Sequence, residues 1–363
     1  MLSRRLATQS RGYATKVSAK DFPGKVSTLT IKVNAGSRYA TKDGISHLLS
    51  RFNFQNTTAR SALRLTRESE LLGGEFSSTI DRDSIYLSAK FLKEGLPYYV
   101  NALSDVLYKT SFKPHEFPEV VLPAAKYDLS KANASPIFKA DELLHSLSFR
   151  NGLGNPLYYD GVQKISLEEI KEFANKVYTK ENIEVIGSGI NEADLNKFIS
   201  ESSLAQLPTG SSLSSSSVPK FYQGAESRIR ASGESVAAIA VPVKTEEFAT
   251  FEVFSAYLTS ALSDVVVSDA KLNKYSQAGL FTLFVKGDAS QVSENIKKVA
   301  LLLKSGVDIS SASGLASTKL ALASEASVVP HQVDVSKVKD FKLGKFNYVA
   351  IGDINNLPFA DEL

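Results

Sequence analysis

Apolar and polar side chains alternate strictly at Leu29, Ile31 and Val33, which predicts a strand with one buried face. The period then changes: Ile45, Leu48, Leu49 and Phe52 share one face of a helix. After Gly73-Gly74 the alternation returns at Ile85, Leu87, Ala89 and Phe91. A second helical stripe follows at Leu96, Tyr99, Val100, Leu103 and Leu107, with Pro97 where a first turn tolerates it. The order is strand, helix, strand, helix. It recurs with Ile239, Val241 and Val243 as strand, Phe251, Phe254, Leu258 and Leu262 as helix, Phe281, Leu283 and Val285 as strand after Gly279, and Val292, Ile296, Val299 and Leu303 as helix. Each half ends alike: Asn182-Ile183-Glu184-Val185-Ile186-Gly187 faces Asn347-Tyr348-Val349-Ala350-Ile351-Gly352, and Ile190-Asn191 faces Ile354-Asn355. This is an internal duplication.

The offset between matching positions falls from 210 at Ile31 and Val241 to 165 at Asn182 and Asn347, so the second copy is shorter by about 45 residues. The surplus corresponds to the stretch from Val120 to Ile170, which reads as helical, with Ser166 and Glu169 forming a capping box ahead of Ile170, Phe173, Ala174 and Val177. Pro208-Thr209-Gly210 and the serines from Ser211 to Ser217 form a low-complexity run expected to be a mobile linker. Strands grouped with helices, without strict βαβ alternation, predict two α+β domains, each a mostly antiparallel sheet with helices packed on it. The expected boundaries are 20–206 for the first domain, 207–220 for the linker and 221–363 for the second domain.

At 363 residues, 43% hydrophobic and 22% charged, the chain has material for two ordinary domains. Its 42 basic and 39 acidic residues are interspersed, which argues against a nucleic-acid partner. The absence of cysteine removes disulfides, thiolate metal sites and cysteine nucleophiles together. No apolar run approaches the ~18 to 20 residues that span a bilayer, so membrane association is expected only through partners. Residues 1–19 contain Arg4, Arg5, Arg11 and Lys16 and no acid, the composition of a mitochondrial presequence, with Arg11-Gly12-Tyr13-Ala14 as a matrix cleavage pattern. Without an ER-entry signal, the terminal Ala360-Asp361-Glu362-Leu363 and the sequons at Asn56 and Asn133 carry no weight.

The stretch Ser37-Arg38-Tyr39-Ala40-Thr41-Lys42-Asp43-Gly44-Ile45-Ser46-His47-Leu48-Leu49-Ser50-Arg51-Phe52, followed by Glu70-Leu71-Leu72-Gly73-Gly74-Glu75-Phe76, resembles the active-site region of the pitrilysin and processing-peptidase family. The resemblance implies two duplicated metallopeptidase-like domains and a zinc motif, H-x-x-E-H. In that motif histidines at i and i+4 hold one Zn²⁺, and the glutamate at i+3 takes a proton from the metal-bound water. Here the first histidine is His47, but Ser50 stands at the glutamate position and Arg51 at the second histidine. A serine hydroxyl is a poor base near neutral pH, and a guanidinium puts a fixed positive charge where a dication would sit. The family's third ligand is a glutamate on a separate helix some seventy-five residues on; Asp128 falls near that position. His47 and one carboxylate fall short of the three protein ligands of a catalytic zinc. No catalytic, cofactor-binding or metal-ligating residue is therefore assigned, and no cofactor is expected. His115, His145 and His331 are isolated in sequence and read as structural; Gly152 and Gly154 precede Pro156 and read as a loop.

Within the family the chain resembles the noncatalytic fungal core-protein branch in the respiratory ubiquinol:cytochrome c reductase. Arg38–Gly44, Arg51–Thr57 and Phe341–Tyr348 carry this likeness. It implies an inactive metallopeptidase homologue that supports assembly and stability of that complex. The expected location is peripheral, on the matrix side of the mitochondrial inner membrane. Expected partners are a related core protein 1, cytochrome b, cytochrome c1 and the Rieske iron-sulfur subunit, in a dimeric assembly. The alternative is the noncatalytic, presequence-binding partner of a mitochondrial processing peptidase. That relative carries a glycine-rich loop where Asp264 to Ala278 here contain no glycine.

Overall fold

The computed structural model describes residues 15–213, 218–260, 267–305, 314–315, 317–318 and 342–363. Outside the described residues lie 1–14 of the expected presequence, 214–217 of the serine run, Leu262, residues 264–266 of the glycine-free region, His331 and Phe341.

The first half contains strands β1 (Lys16–Lys20) and β2 (Val26–Val33), helices α1 (Ile45–Phe52) and α2 (Ala62–Leu71), strands β3 (Glu75–Ile80) and β4 (Ile85–Leu92), helices α3 (Leu96–Lys109), α4 (Leu122–Asn133), α5 (Pro136–Phe149) and α6 (Leu167–Val177), strand β5 (Ile183–Ser188) and helix α7 (Glu192–Glu201). The second contains β6 (Glu226–Arg230), β7 (Ser235–Val243), α8 (Phe248–Ser260), β8 (Asp269–Lys274), β9 (Gly279–Gly287), α9 (Ala289–Ser305) and β10 (Asn347–Gly352). The sheets run β1-β5-β2-β4-β3 and β6-β10-β7-β9-β8, the same order shifted by five strands. In both, the first strand pairs parallel to the last and the remaining pairs are antiparallel. The duplication read from the periodicity is thus a duplication of topology, and both halves are α+β.

The four strands without a clear period, β1, β3, β6 and β8, are the edges of the sheets. An edge strand faces solvent along one side and tolerates polar residues, so β3 reads Glu-Phe-Ser-Ser-Thr-Ile and carries little apolar signal. Strand β1 lies within the stretch assigned to the presequence. Its Val17 and Ala19 pack on the core, and Lys16 meets Glu184 of β5 at 2.7 Å. Likewise the start of the serine-rich segment is tied down: Leu207 is buried, the Lys180 amide donates to the Pro208 carbonyl, and the Leu213 amide donates to Asn182 Oδ1.

On the first sheet, Leu29, Ile31, Val33, Leu87 and Val185 face a core closed by α1, α3 and α6. The opposite positions Thr28, Thr30, Lys32 and Ser88 are half-buried, with Thr30 and Ser88 hydroxyls 2.9 Å apart. The second sheet is covered on both faces. Ala237, Ile239, Leu283 and Tyr348 lie among Phe254, Ile296 and Val299, while Val236, Ala238, Phe284 and Val349 pack against Ala140, Leu144 and Phe149 of α5. A strand buried on both faces is apolar at both parities, which explains the run Val236-Ala237-Ala238-Ile239-Ala240-Val241. Helix α5 belongs to the first half by sequence but seals the second sheet. Leu144→Ala, at a fully buried position, should lower stability by about 2 to 5 kcal/mol, measured by urea unfolding.

Candidate functional site

Gly44 caps α1 with φ of 87°, a left-handed conformation that suits glycine, and a Cβ there would lie 2.6 Å from the Tyr159 Cα. The close approach brings the chain at Tyr158 and Tyr159 onto the first turn of α1. As a result the Tyr159 amide donates to His47 Nδ1 at 3.1 Å, and the Tyr158 ring meets the imidazole edge-on, with centroids 4.7 Å apart. With Nδ1 accepting, the ring proton sits on Nε2 and is donated to Asp128 Oδ2 at 3.0 Å. His47 is therefore held as a neutral donor, and the nitrogen facing Asp128 has no lone pair free for a metal.

Asp128 projects from α4, which packs across α1. Arg51, one helical turn after His47, directs its Nε and Nη2 to the same Asp128 oxygen. Spacing alone puts Asp128 near the third-ligand position; the fold brings it into contact with both residues. Ser50 is buried and donates its hydroxyl to the His47 carbonyl at 2.7 Å, within its own helix. Its oxygen serves the helix backbone and is not poised as a base. The site thus holds one imidazole, one carboxylate and a guanidinium bound to that carboxylate. Among the described residues no group of three or more His, Asp or Glu side chains could hold a metal ion.

Burial holds the His47 pKa below the ordinary histidine value; the Asp128 hydrogen bond and charge oppose this, and the Arg51 charge adds to it. His145 is also buried. Its Nδ1–H goes to the Asp141 carbonyl at 2.7 Å, its Nε2 accepts from the Tyr275 hydroxyl at 2.7 Å, and burial holds its pKa well below the ordinary value. His145, isolated in sequence, is joined by the fold to the second half. The pairing is not legible from chain spacing, since Tyr275 is 130 residues away.

Two outcomes follow. Arg51→Met removes one of the influences that lower the His47 pKa, so the pKa should rise, read from the pH dependence of its ring resonances; stability should change by only about 1 kcal/mol or less, because Arg51 is partly exposed. For depressed histidines the unfolded chain binds more protons. Their stabilisation is fully present above about pH 6.5 and is lost below it, by up to ~1.4 kcal/mol per pH unit for each. Asp81, Asp141 and Glu142, raised by burial, act with the opposite sign. Urea unfolding from pH 7.5 to 5.5 should therefore show a shallower acid loss in His47→Gln than in the unsubstituted chain.

Residues 15–161 match the family described as insulinase (peptidase family M16), and residues 164–309 match the peptidase M16 inactive domain. The mitochondrial cytochrome b-c1 complex subunit 2 of Saccharomyces cerevisiae is 58% identical over 350 residues, covering 96% of this chain and 95% of that protein. Its counterpart in Debaryomyces hansenii is 49% identical, with both chains covered completely. A crystal structure of a peptidase M16 inactive domain from Pseudomonas fluorescens superposes with a TM-score of 0.76, over 94% of this chain and 96% of that one; at 15% identity it supports the fold alone. The chain belongs to the family of mitochondrial cytochrome b-c1 complex subunit 2, a branch of the M16 peptidases.

Proposed function

We propose that this chain is a noncatalytic core subunit of the mitochondrial ubiquinol:cytochrome c reductase, an M16 fold retained as architecture. The observation that carries the noncatalytic reading is the Arg51 guanidinium seated on Asp128 beside His47. Metal-assisted hydrolysis needs an open coordination position and a base beside the bound water. Here the cationic position is filled by a side chain that stays protonated, and Ser50 is committed to a backbone carbonyl. The near-complete match to subunit 2 of two yeasts supports the assignment to the complex.

In this reading the partners are core protein 1, cytochrome b, cytochrome c1 and the Rieske subunit, which hold the electron carriers. The chain sits peripherally on the matrix side of the inner membrane. No helix among the described residues is long and apolar enough to cross a membrane, consistent with attachment through partners. Residues 1–14 act as the import signal in this reading, and the pairing of β1 with β5 supports processing ahead of Lys16, since a later cut would remove a paired strand.

The presequence-binding role in a processing peptidase finds less support. Residues 268–278, where that relative carries its loop, are here a strand and a tight turn, with the Tyr275 amide bonded to the Ala278 carbonyl at 2.8 Å. In a native gel of mitochondria solubilised with mild detergent, the chain should migrate with cytochrome b. Migration with a soluble peptidase subunit and without cytochrome b would sink the proposal. Stoichiometric zinc in the purified chain, with chelator-sensitive cleavage of a test peptide, would sink its noncatalytic part.

A further inference from the structure

The described elements sort into two packing units whose border does not follow the chain. Helix α5 and the turn Gly152–Gly154 lie with the second sheet, through Ala140, Leu144, Phe149 and Leu153. Most of the remaining first half surrounds the first sheet. Between the two units lies a buried polar contact that the proposed function does not use.

Three charged residues of the first unit make it. Arg82 is 3% exposed, and its guanidinium bonds Glu142 Oε1 at 2.5 Å and the carbonyls of Leu153 at 3.1 Å and Asn155 at 2.5 Å. The Asp83 carboxylate spans both units: Oδ1 accepts from Arg38 at 3.3 Å, and Oδ2 accepts the Ser276 amide at 2.6 Å. Arg38 also donates to Ser276 Oγ at 3.3 Å and to Gln277 Oε1. On the other side of the same β8–β9 turn, Tyr275 donates to His145. Gly36 makes room for this, since a Cβ there would lie 2.4 Å from the Arg82 carbonyl group.

Apolar faces resist separation but are indifferent to small rotations, because dispersion and burial carry little direction. Charged hydrogen bonds are directional, and a buried charge deprived of its partner is strongly unfavourable. We propose that Arg38, Arg82 and Asp83 form an interlock, with the turn Tyr275–Ala278 as its key, that fixes the orientation of the two units relative to each other. A subunit that must match several partners at once then presents one rigid shape.

The chain has no cysteine, so paired spin labels can be placed in the full chain at Lys131→Cys on α4 and Leu301→Cys on α9, both exposed. The unsubstituted background should give one narrow distance distribution. Adding Arg38→Gln with Asp83→Asn should broaden it or add a second peak, and hydrogen exchange across residues 273–279 should accelerate about tenfold. Arg64→Gln, which removes only an exposed pair with Glu68, should change neither reading. A folded double variant with the native distribution overturns the interlock. Gln277→Ala probes it from the other unit and removes a single side-chain amide: exchange at residues 37–39 and 81–84 should accelerate, and native rates there also overturn the proposal.

Discussion

The fold depends on the need of the second sheet to bury two faces while the described helices of its own half cover one. α8 and α9 cover the inner side; α5, reached through the chain of the first half, covers the other. Backbone amides and carbonyls of a sheet interior are already paired in its ladders, so what remains is apolar surface, and its removal from water ties the halves together. This explains why the second sheet is apolar at both parities whereas the first keeps threonine, serine and lysine on its outer side. It also makes the surplus of the first copy intelligible, because α5 lies within the stretch that the second copy lacks.

Against that frame of burial, the charged residues have divided roles. Beside His47 the Arg51 guanidinium neutralises Asp128, so the carboxylate is not left bare next to a buried imidazole. The hydrogen bonds that settle His47 as an Nε2–H donor leave that nitrogen without a lone pair for a metal. Between the halves, by contrast, Arg38, Arg82 and Asp83 spend their hydrogen bonds on orientation.

The sequence alone determined the duplicated α+β plan, the central strands, the principal helices and the loss of the peptidase motif. These are local properties: alternation at Leu29, Ile31 and Val33 states which side of a strand is buried, and the spacing of His47, Ser50 and Arg51 places them on one helix whatever surrounds it. Edge strands escaped, because a strand paired on one side need not alternate. Only the tertiary structure decided that Asp128 meets His47 and Arg51, that His145 meets Tyr275, and that α5 closes the opposite half. The hydrogen-bonded pairs among these join positions 77 to 130 residues apart. Spacing along a chain carries no distance between elements; that is fixed only when the apolar faces have found each other.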